Sequence, residues 1–356
     1  MVDPLGSEAL LNGARAARAR EALERAGWKG LVLVPGPNLR YLTGLAIEPS
    51  ERLTAAILPA RGPGRLLAPA FEADRLAGGL EETLEIVPWP EHADPFAVAA
   101  GLIAEQGWLL DATAPFWIAE AFHDRGVRLR SAGALCAALR RRKDEAELDR
   151  ISAAQRLTRE TLVDVPGWLS PGVRERDVAE RILAAFRAAG APGWAIVQFG
   201  DRSALPHGRP GERRLTPESA VLVDLGAVRD GYHADLTRSW WFGSRPEGRY
   251  GEVASAVEQA QSRAAALARP GARAGDVDAA ARRFLEQHGL AAYFVHRLGH
   301  GIGLEIHEPP FLVHGSEVLL EAGDVFTIEP GVYLPGQFGI RHEDVWVIRE
   351  DGSERL

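Results

Sequence analysis

The stretch that most constrains the fold is Val221 to Trp241, which reads VLVDLGAVRDGYHADLTRSWW. Both halves are rich in β-branched and aromatic residues, and the Asp-Gly pair between them is a turn signal, so the pattern predicts a β-hairpin. With Arg229 and Asp230 at the loop tip, Asp224 lies directly opposite Asp235. Opposed side chains lie roughly 5 Å apart, so these two carboxylates are either solvated at an edge or held together by a positive group between them.

A second hairpin is predicted for residues 325–348, VFTIEPGVYLPGQFGIRHEDVWVI. Its tip at residues 335–337 joins two apolar runs, and this register places Glu329 opposite Glu343. Two separate hairpins therefore each carry a pair of carboxylates on one face. Only buried charge forces pairing or metal coordination, and the recurrence of the pair favours a buried site over solvated edges.

Between the two hairpins lies the segment HRLGHGIGLEIHEPP, residues 296–310, in which glycines bracket His300 and permit close approach of the backbone. Four carboxylates and one imidazole form an oxygen-rich set with a single nitrogen donor. Such a set suits a pair of Mn, Co, Zn or Fe ions better than a thiolate site would. His233 also lies on the carboxylate face of the first hairpin.

Composition excludes several classes of protein. The net charge of −8 argues against nucleic acid as a partner, because phosphate binding needs a clustered basic face. The single cysteine, Cys136, cannot form an internal disulfide, which fits a reducing compartment. The first 30 residues lack a basic-then-apolar signal, and no long uncharged apolar run follows, so we expect a cytoplasmic protein without membrane contact.

The order of predicted elements indicates two domains. Residues 1–133 alternate short apolar strands with amphipathic helices and carry no phosphate-binding glycine loop or catalytic triad, so this domain is expected to shape a pocket or a dimer surface. A helical linker region covers residues 134–142. Residues 143–356 contain two helix pairs, each leading to a carboxylate hairpin, which suggests a duplicated half with its site at the join.

Four segments carry a family resemblance: VDLGAVRDGYHADLTR, HRLGHGIGLEIHE, TIEPGVY and IRHED. They resemble the successive motifs of the pita-bread metallopeptidases, in the branch of the Xaa-Pro dipeptidases (prolidases) and Xaa-Pro aminopeptidases. The match covers about residues 143–356, and the first domain matches more loosely through NLRYLTG at 38–44. The resemblance implies an α+β chain, in which a curved antiparallel sheet backed by helices follows a smaller α/β domain with a mixed sheet.

The resemblance also implies a dinuclear site for two divalent ions, Mn in the first place, with Co or Zn as alternatives. Asp224 would bind one ion, and His300 and Glu329 the other. Asp235 and Glu343 would bridge both ions. A water molecule between two cations becomes a nucleophile near neutral pH and would attack the scissile carbonyl, with Glu329 as the general base.

Further residues match positions around the metals in the same family. By this resemblance, His207 and His307 would hydrogen-bond the substrate and the tetrahedral intermediate, and His296 and Tyr333 would line the proline pocket. Arg341 shares the face of the second hairpin that carries the glutamates. It could bind a substrate carboxylate or orient the site, and an ordinary ion pair is the alternative.

The preferred interpretation is a peptidase that cleaves the bond before proline in Xaa-Pro dipeptides, because the loop at residues 334–339 is short. The nearest alternative is an Xaa-Pro aminopeptidase, which leaves room beyond proline for a longer peptide. A binding module that kept the fold but lost catalysis is a third possibility, and the presence of all five ligand types argues against it. Members of the family are commonly homodimers, so a homodimer is expected.

Overall fold

The computed structural model of the protein describes residues 8–77, 84–103, 106–244 and 248–356. The chain divides into two compact units, Met1–Arg140 and Arg141–Leu356. Within the described ranges, no helix has both the length and the apolar composition that a bilayer crossing requires.

The first unit alternates helices with short strands, as predicted. Its elements are α1 (Glu8–Arg25), β1 (Gly30–Leu33), α2 (Pro37–Thr43), β2 (Ala55–Pro59), β3 (Gly64–Pro69), α3 (Ala73–Ala77), β4 (Leu84–Trp89), α4 (Pro95–Leu102), β5 (Trp108–Leu110), α5 (Phe116–Asp124), β6 (Leu129–Ser131) and α6 (Gly133–Arg141).

These strands form one six-stranded sheet in the order β4-β3-β2-β1-β5-β6. Strand β2 pairs antiparallel with both β1 and β3, whereas β4, β5 and β6 join in parallel. The prediction of a mixed sheet is confirmed. Strand β1 is buried along its whole length, and the core on one face packs Val32 and Ile57 against Phe96 and Phe122 of the helices.

The second unit is mostly antiparallel strands and long helices. Its elements are α7 (Glu145–Trp168), α8 (Glu175–Ala188), β7 (Gly193–Phe199), β8 (Ser219–Arg229), β9 (Tyr232–His233), β10 (Leu236–Phe242), α9 (Arg249–Leu267), α10 (Ala274–Gln287), β11 (Gly299–Gly301), β12 (Glu308–Leu312), β13 (Val325–Ile328), β14 (Gly331–Leu334), β15 (Phe338–Arg341), β16 (Asp344–Arg349) and β17 (Gly352–Arg355).

Two antiparallel sheets dominate this unit, each backed by a helix pair. Strands β10, β8 and β7 lie side by side, with β9 added to β8, and their apolar face packs against α7 and α8. Strands β12, β11, β13, β16 and β17 form the other sheet, whose core includes α9 and α10. The predicted antiparallel architecture backed by helices is confirmed.

The register of the first hairpin differs from the prediction. Asp224 pairs with Thr237 rather than with Asp235, because the loop lies one residue later than expected and consists of Asp230 and Gly231. Both loop residues have positive φ, 49° and 80°, as a type I′ turn requires, and Asp-Gly favours that turn. The register shifts by two positions, which is the period of a strand, so both aspartates keep the same face.

The second hairpin has the predicted register. Tyr333 pairs with Gly339 across β14 and β15, and Ile328 pairs with Asp344 across β13 and β16. Between these two ladders the chain makes a bridge to the other sheet, where the Glu343 amide donates to the Thr237 carbonyl oxygen at 3.1 Å. The carboxylate-bearing segments of the two hairpins therefore meet edge to edge.

Candidate metal centre

A cavity of about 380 Å³ lies in the second unit where the two sheets meet. Every site residue predicted from the sequence lines this cavity, although the residues are drawn from segments more than a hundred positions apart. The lining residues are Trp194, Ile196, His207, Asp224, Asp235, His296, Arg297, His300, Ile306, His307, Glu329, Tyr333, Arg341 and Glu343.

The innermost group consists of Asp235, His300 and Glu343, whose ligand atoms all lie within 4.8 Å of one another. The His300 Nε2 atom lies 3.6 Å from Asp235 Oδ2 and 3.3 Å from Glu329 Oε1. On the other side of the ring, Nδ1 donates to the Gly301 carbonyl oxygen at 3.1 Å. Because Nδ1 carries the proton, the lone pair of Nε2 points to the carboxylates, as a metal-binding imidazole requires.

Asp224 also lines the cavity, where it forms a buried ion pair with Arg341. The guanidinium donates from one Nη to Asp224 Oδ2, from Nε to Thr237 Oγ1 at 3.1 Å, and from the other Nη to Tyr333 Oη at 2.8 Å and the Pro206 carbonyl oxygen at 3.2 Å. Most of its N–H groups are therefore engaged by the protein. Asp224 Oδ1 accepts no hydrogen bond from the described residues.

A directed hydrogen-bond chain continues from this arginine. Tyr333 receives a hydrogen bond from Arg341 and donates its own proton to His296 Nε2 at 3.0 Å. His296 Nδ1 then donates to the Arg297 carbonyl oxygen at 2.7 Å. Burial lowers the pKa of His296 to about 4, so the ring is neutral near pH 7. The hydrogen bonds at both ring nitrogens fix its orientation. Imidazole and phenol rings thus form one rigid wall of the cavity.

The carboxylates of the cavity are destabilised as anions when no cation balances them. Burial and the charges of Glu343, Asp224 and Glu329 raise the pKa of Asp235 well above its usual value. Burial, Glu329 and Asp224 raise the pKa of Glu343 in the same way, and burial and Asp224 raise that of Glu329 to about 7. Negative groups packed this closely call for positive charge among them.

The donor set fits hard or borderline divalent cations. It offers carboxylate oxygens and one imidazole nitrogen, the ligands that Mn, Co and Zn accept, and it contains no thiolate. The Oδ1 atom of Asp224 is an additional possible metal ligand, because it accepts no hydrogen bond from the described residues. Two hydroxyls orient the ligands, because Thr237 donates to Glu343 Oε2 at 2.6 Å and Thr327 to Glu329 Oε1 at 3.1 Å.

His207 and His307 lie at the mouth of the cavity, where both side chains are exposed. The ring of His307 stands edge-on to that of His300, with centroids 4.1 Å apart. Loss of hydration beside the cavity wall and the positive charge of Arg297 lower the pKa of His307. His233 lies outside this lining, and its backbone amide donates to Gly303 instead.

Sequence reasoning missed four lining residues: Trp194, Ile196, Arg297 and Ile306. Three of them are apolar and belong to segments that read as ordinary strand or loop, so no local signal marks them. Arg297 stands next to His296 and three residues before His300. In the structure the backbone bends at His296, and the side chains of His296 and Arg297 both line the cavity.

Two family models match the chain. The model of metallopeptidase family M24 matches residues 149–350, and the model of the creatinase/prolidase N-terminal domain matches residues 15–142. Together they span both units described above.

Individual relatives match over nearly the whole chain. A Mycobacterium tuberculosis H37Rv protein described as "Probable dipeptidase PepE" is 38% identical over 350 residues, which are 95% of this chain and 92% of the relative. The crystal structure of dipeptidase PepE from Mycobacterium ulcerans is 36% identical with a TM-score of 0.90 and coverage of 99% and 96%. That of a prolidase from Thermococcus sibiricus is 31% identical with a TM-score of 0.89 and coverage of 96% and 95%.

Binding of a divalent cation such as Mn²⁺ to the metal-free protein is expected to release protons at pH 7 and to weaken as the pH falls. The pKa of Glu329 is raised to about 7, so at pH 7 this group holds part of a proton that a cation must displace, and the pKa values of Asp235 and Glu343 are raised in the same direction. As the pH falls through about 7, more of these protons are bound and the affinity for the cation drops.

Calorimetric titration in two buffers of different ionisation enthalpy measures the proton release. The two buffers should give different apparent heats, and Glu329→Gln should reduce the difference because one displaced proton is lost. Identical heats in the two buffers would contradict the raised pKa values.

Proposed function

The chain belongs to metallopeptidase family M24 and is a peptide-bond hydrolase, and from this premise we propose that it cleaves the bond before proline, with Xaa-Pro dipeptides as its preferred substrates. Two relatives are named dipeptidases and one is named a prolidase, a name that denotes this reaction. The observation that carries the proposal is the cavity itself, in which an acidic ligand group lies beside a rigid wall of His296 and Tyr333.

The five residues proposed to hold two divalent ions are Asp224, Asp235, His300, Glu329 and Glu343. By the resemblance to the family, Asp235 and Glu343 would contact both ions, and the two carboxylates lie with His300 in one group of possible ligands. Ions bound there would lower the pKa of a water molecule and polarise the scissile carbonyl. Mn²⁺ is the proposed ion, and Co²⁺ or Zn²⁺ would satisfy the same donors.

The chain's own residues would handle the proton and the substrate. Glu329 is the proposed general base: it takes the proton of the attacking water and returns it to the proline nitrogen as the peptide bond breaks. Its carboxylate is held by Thr327 at 3.1 Å, which fixes the accepting oxygens. His207 and His307, exposed at the mouth, would donate N–H groups to the substrate and to the charge that develops on its carbonyl oxygen.

The wall formed by His296 and Tyr333 would receive the proline ring. Both side chains line the cavity and are held in place by hydrogen bonds. Pre-organised rings bind a cyclic apolar side chain with little loss of entropy. The first domain, at residues 1–133, is proposed to contribute to substrate selection or dimerisation. A cytoplasmic homodimer stays a prediction from the sequence.

Substrate choice tests the proposal directly. The Mn-loaded enzyme should hydrolyse an Xaa-Pro dipeptide faster than both Xaa-Ala and the tripeptide Xaa-Pro-Yaa, as measured by release of the first amino acid. A faster rate on the tripeptide would favour an Xaa-Pro aminopeptidase. Equal rates on Xaa-Ala and Xaa-Pro would contradict recognition of proline.

Substitutions separate the proposed bridges from the residues at the cavity mouth. Asp235→Asn and His307→Ala should both lose activity, but only Asp235→Asn should lose metal, because a bridging carboxylate contacts both ions. Elemental analysis of the purified variants measures the metal content. Full occupancy in Asp235→Asn would refute the bridging role.

Arg341 is proposed to support the site rather than to bind the substrate, because its donors are engaged by Asp224, Thr237 and Tyr333. Arg341→Ala should therefore lower kcat/KM for the dipeptide and the tripeptide by the same factor, about 10- to 150-fold for the loss of a charged hydrogen bond. The control is Arg349→Ala, which removes an exposed ion pair with Glu354 and should change neither rate. A loss confined to the dipeptide would instead assign Arg341 to the substrate carboxylate.

A further inference from the structure

The cavity contains a second arginine, Arg297, for which the described part of the chain offers no acidic partner. The half-buried Arg297 side chain lines the cavity beside His296, and its guanidinium donates no hydrogen bond to the described residues and forms no ion pair with them. The guanidinium carbon of Arg297 lies over the ring of Phe311, 4.5 Å from the ring centroid. The guanidinium of Arg341, by contrast, is buried and donates hydrogen bonds to several protein groups.

The position of this stacked pair follows from strand pairing. Phe311 on β12 is the direct partner of His300 on β11, so their side chains share one face of the sheet. A guanidinium stacked on Phe311 therefore lies on the side of the sheet that faces the ligand group.

Stacking on an aromatic ring leaves the edge of a guanidinium free. The plane of the group contacts the ring, whereas the N–H bonds point outward in a fork that matches a carboxylate in a bidentate manner. Phe311 thus fixes the orientation of Arg297 without consuming a donor. Two divalent ions would balance the four cavity carboxylates, and Arg297 would then remain as free positive charge.

We propose that Arg297, held by Phe311, binds the free C-terminal carboxylate of the substrate and so makes the enzyme selective for dipeptides. The assignment rests on the proposed Xaa-Pro activity and names the residue that distinguishes dipeptides from longer peptides. In an Xaa-Pro dipeptide the carboxylate follows directly on the proline ring, and Arg297 follows directly on His296 of the proposed proline wall. In a tripeptide an uncharged amide takes the place of that carboxylate, so the charge-assisted pair is lost.

The test compares an Xaa-Pro dipeptide with the same compound as its C-terminal amide, on the full-length Mn-loaded enzyme. Arg297→Met keeps an apolar chain of similar length over Phe311 and removes the charge. It should lower kcat/KM for the dipeptide about 10- to 150-fold, mainly through KM, and should change that for the amide less than about threefold. Arg297→Lys restores the charge without the fork and should recover part of the loss on the dipeptide alone.

The matched control is Arg263→Met, because Arg263 also stacks on a phenylalanine, Phe284 at 4.3 Å, but lies away from the cavity lining. It should leave both rates unchanged. Thermal midpoints and metal content of all variants should equal those of the wild type. Inhibition gives a readout independent of turnover: free proline should bind the wild type more tightly than prolinamide does, and Arg297→Met should abolish the difference.

The possible failures are distinguishable. Equal losses on the dipeptide and its amide, or a wild type that binds proline and prolinamide equally, would overturn the role of Arg297 while leaving the Xaa-Pro activity in place. A wild type that hydrolyses Xaa-Ala but neither Xaa-Pro compound would overturn the proposed function and this assignment together.

Discussion

Repulsion among four carboxylates, three of them buried and that of Glu329 partly buried, is the constraint on which the second unit depends. Asp224, Asp235, Glu329 and Glu343 line one cavity, and burial raises the pKa of each. A protein does not assemble such a group for stability, because removing charges from water costs more than their packing returns. Protons or cations among the oxygens relieve the repulsion, and the fold around the group acts as a scaffold that holds the carboxylates together.

Two structural devices resist the repulsion. The sheets are joined by the bridge between Thr237 and Glu343, and the Thr237 hydroxyl donates to the carboxylate of the same glutamate at 2.6 Å. Gly299 allows the second device, a close approach of β11 to its neighbour: an added Cβ would lie 1.9 Å from the Thr327 carbonyl oxygen. The neighbouring His300 is thereby held next to Glu329, with Nε2 3.3 Å from Oε1. Backbone contacts, rather than flexible side chains, set the distances between the ligands.

Much of this arrangement could be predicted from the sequence, because hairpin patterns and the period of a strand decide which face a residue occupies. The face of Asp235 was predicted correctly although its partner was not, since Asp230 and Gly231 together prefer a turn one residue later than assumed. The side-chain partners could not be predicted. Arg341 is bound by Asp224 and Tyr333, whereas Arg297 has no acidic partner among the described residues. Both arrangements depend on contacts between distant segments, so no local sequence pattern indicates them.

The proposed ligands are divided between two sheets, and this division affects the order in which the site assembles during synthesis and folding. Asp224 and Asp235 are synthesised more than ninety residues before Glu329, and Glu343 follows later still. A growing chain that ends between the two hairpins contains only two of the four carboxylates, and non-local pairing of this kind forms late in folding. Capture of the proposed ions would therefore follow synthesis of the second hairpin. Until its strands have paired, the first hairpin would carry its two aspartates without the remaining proposed ligands around them.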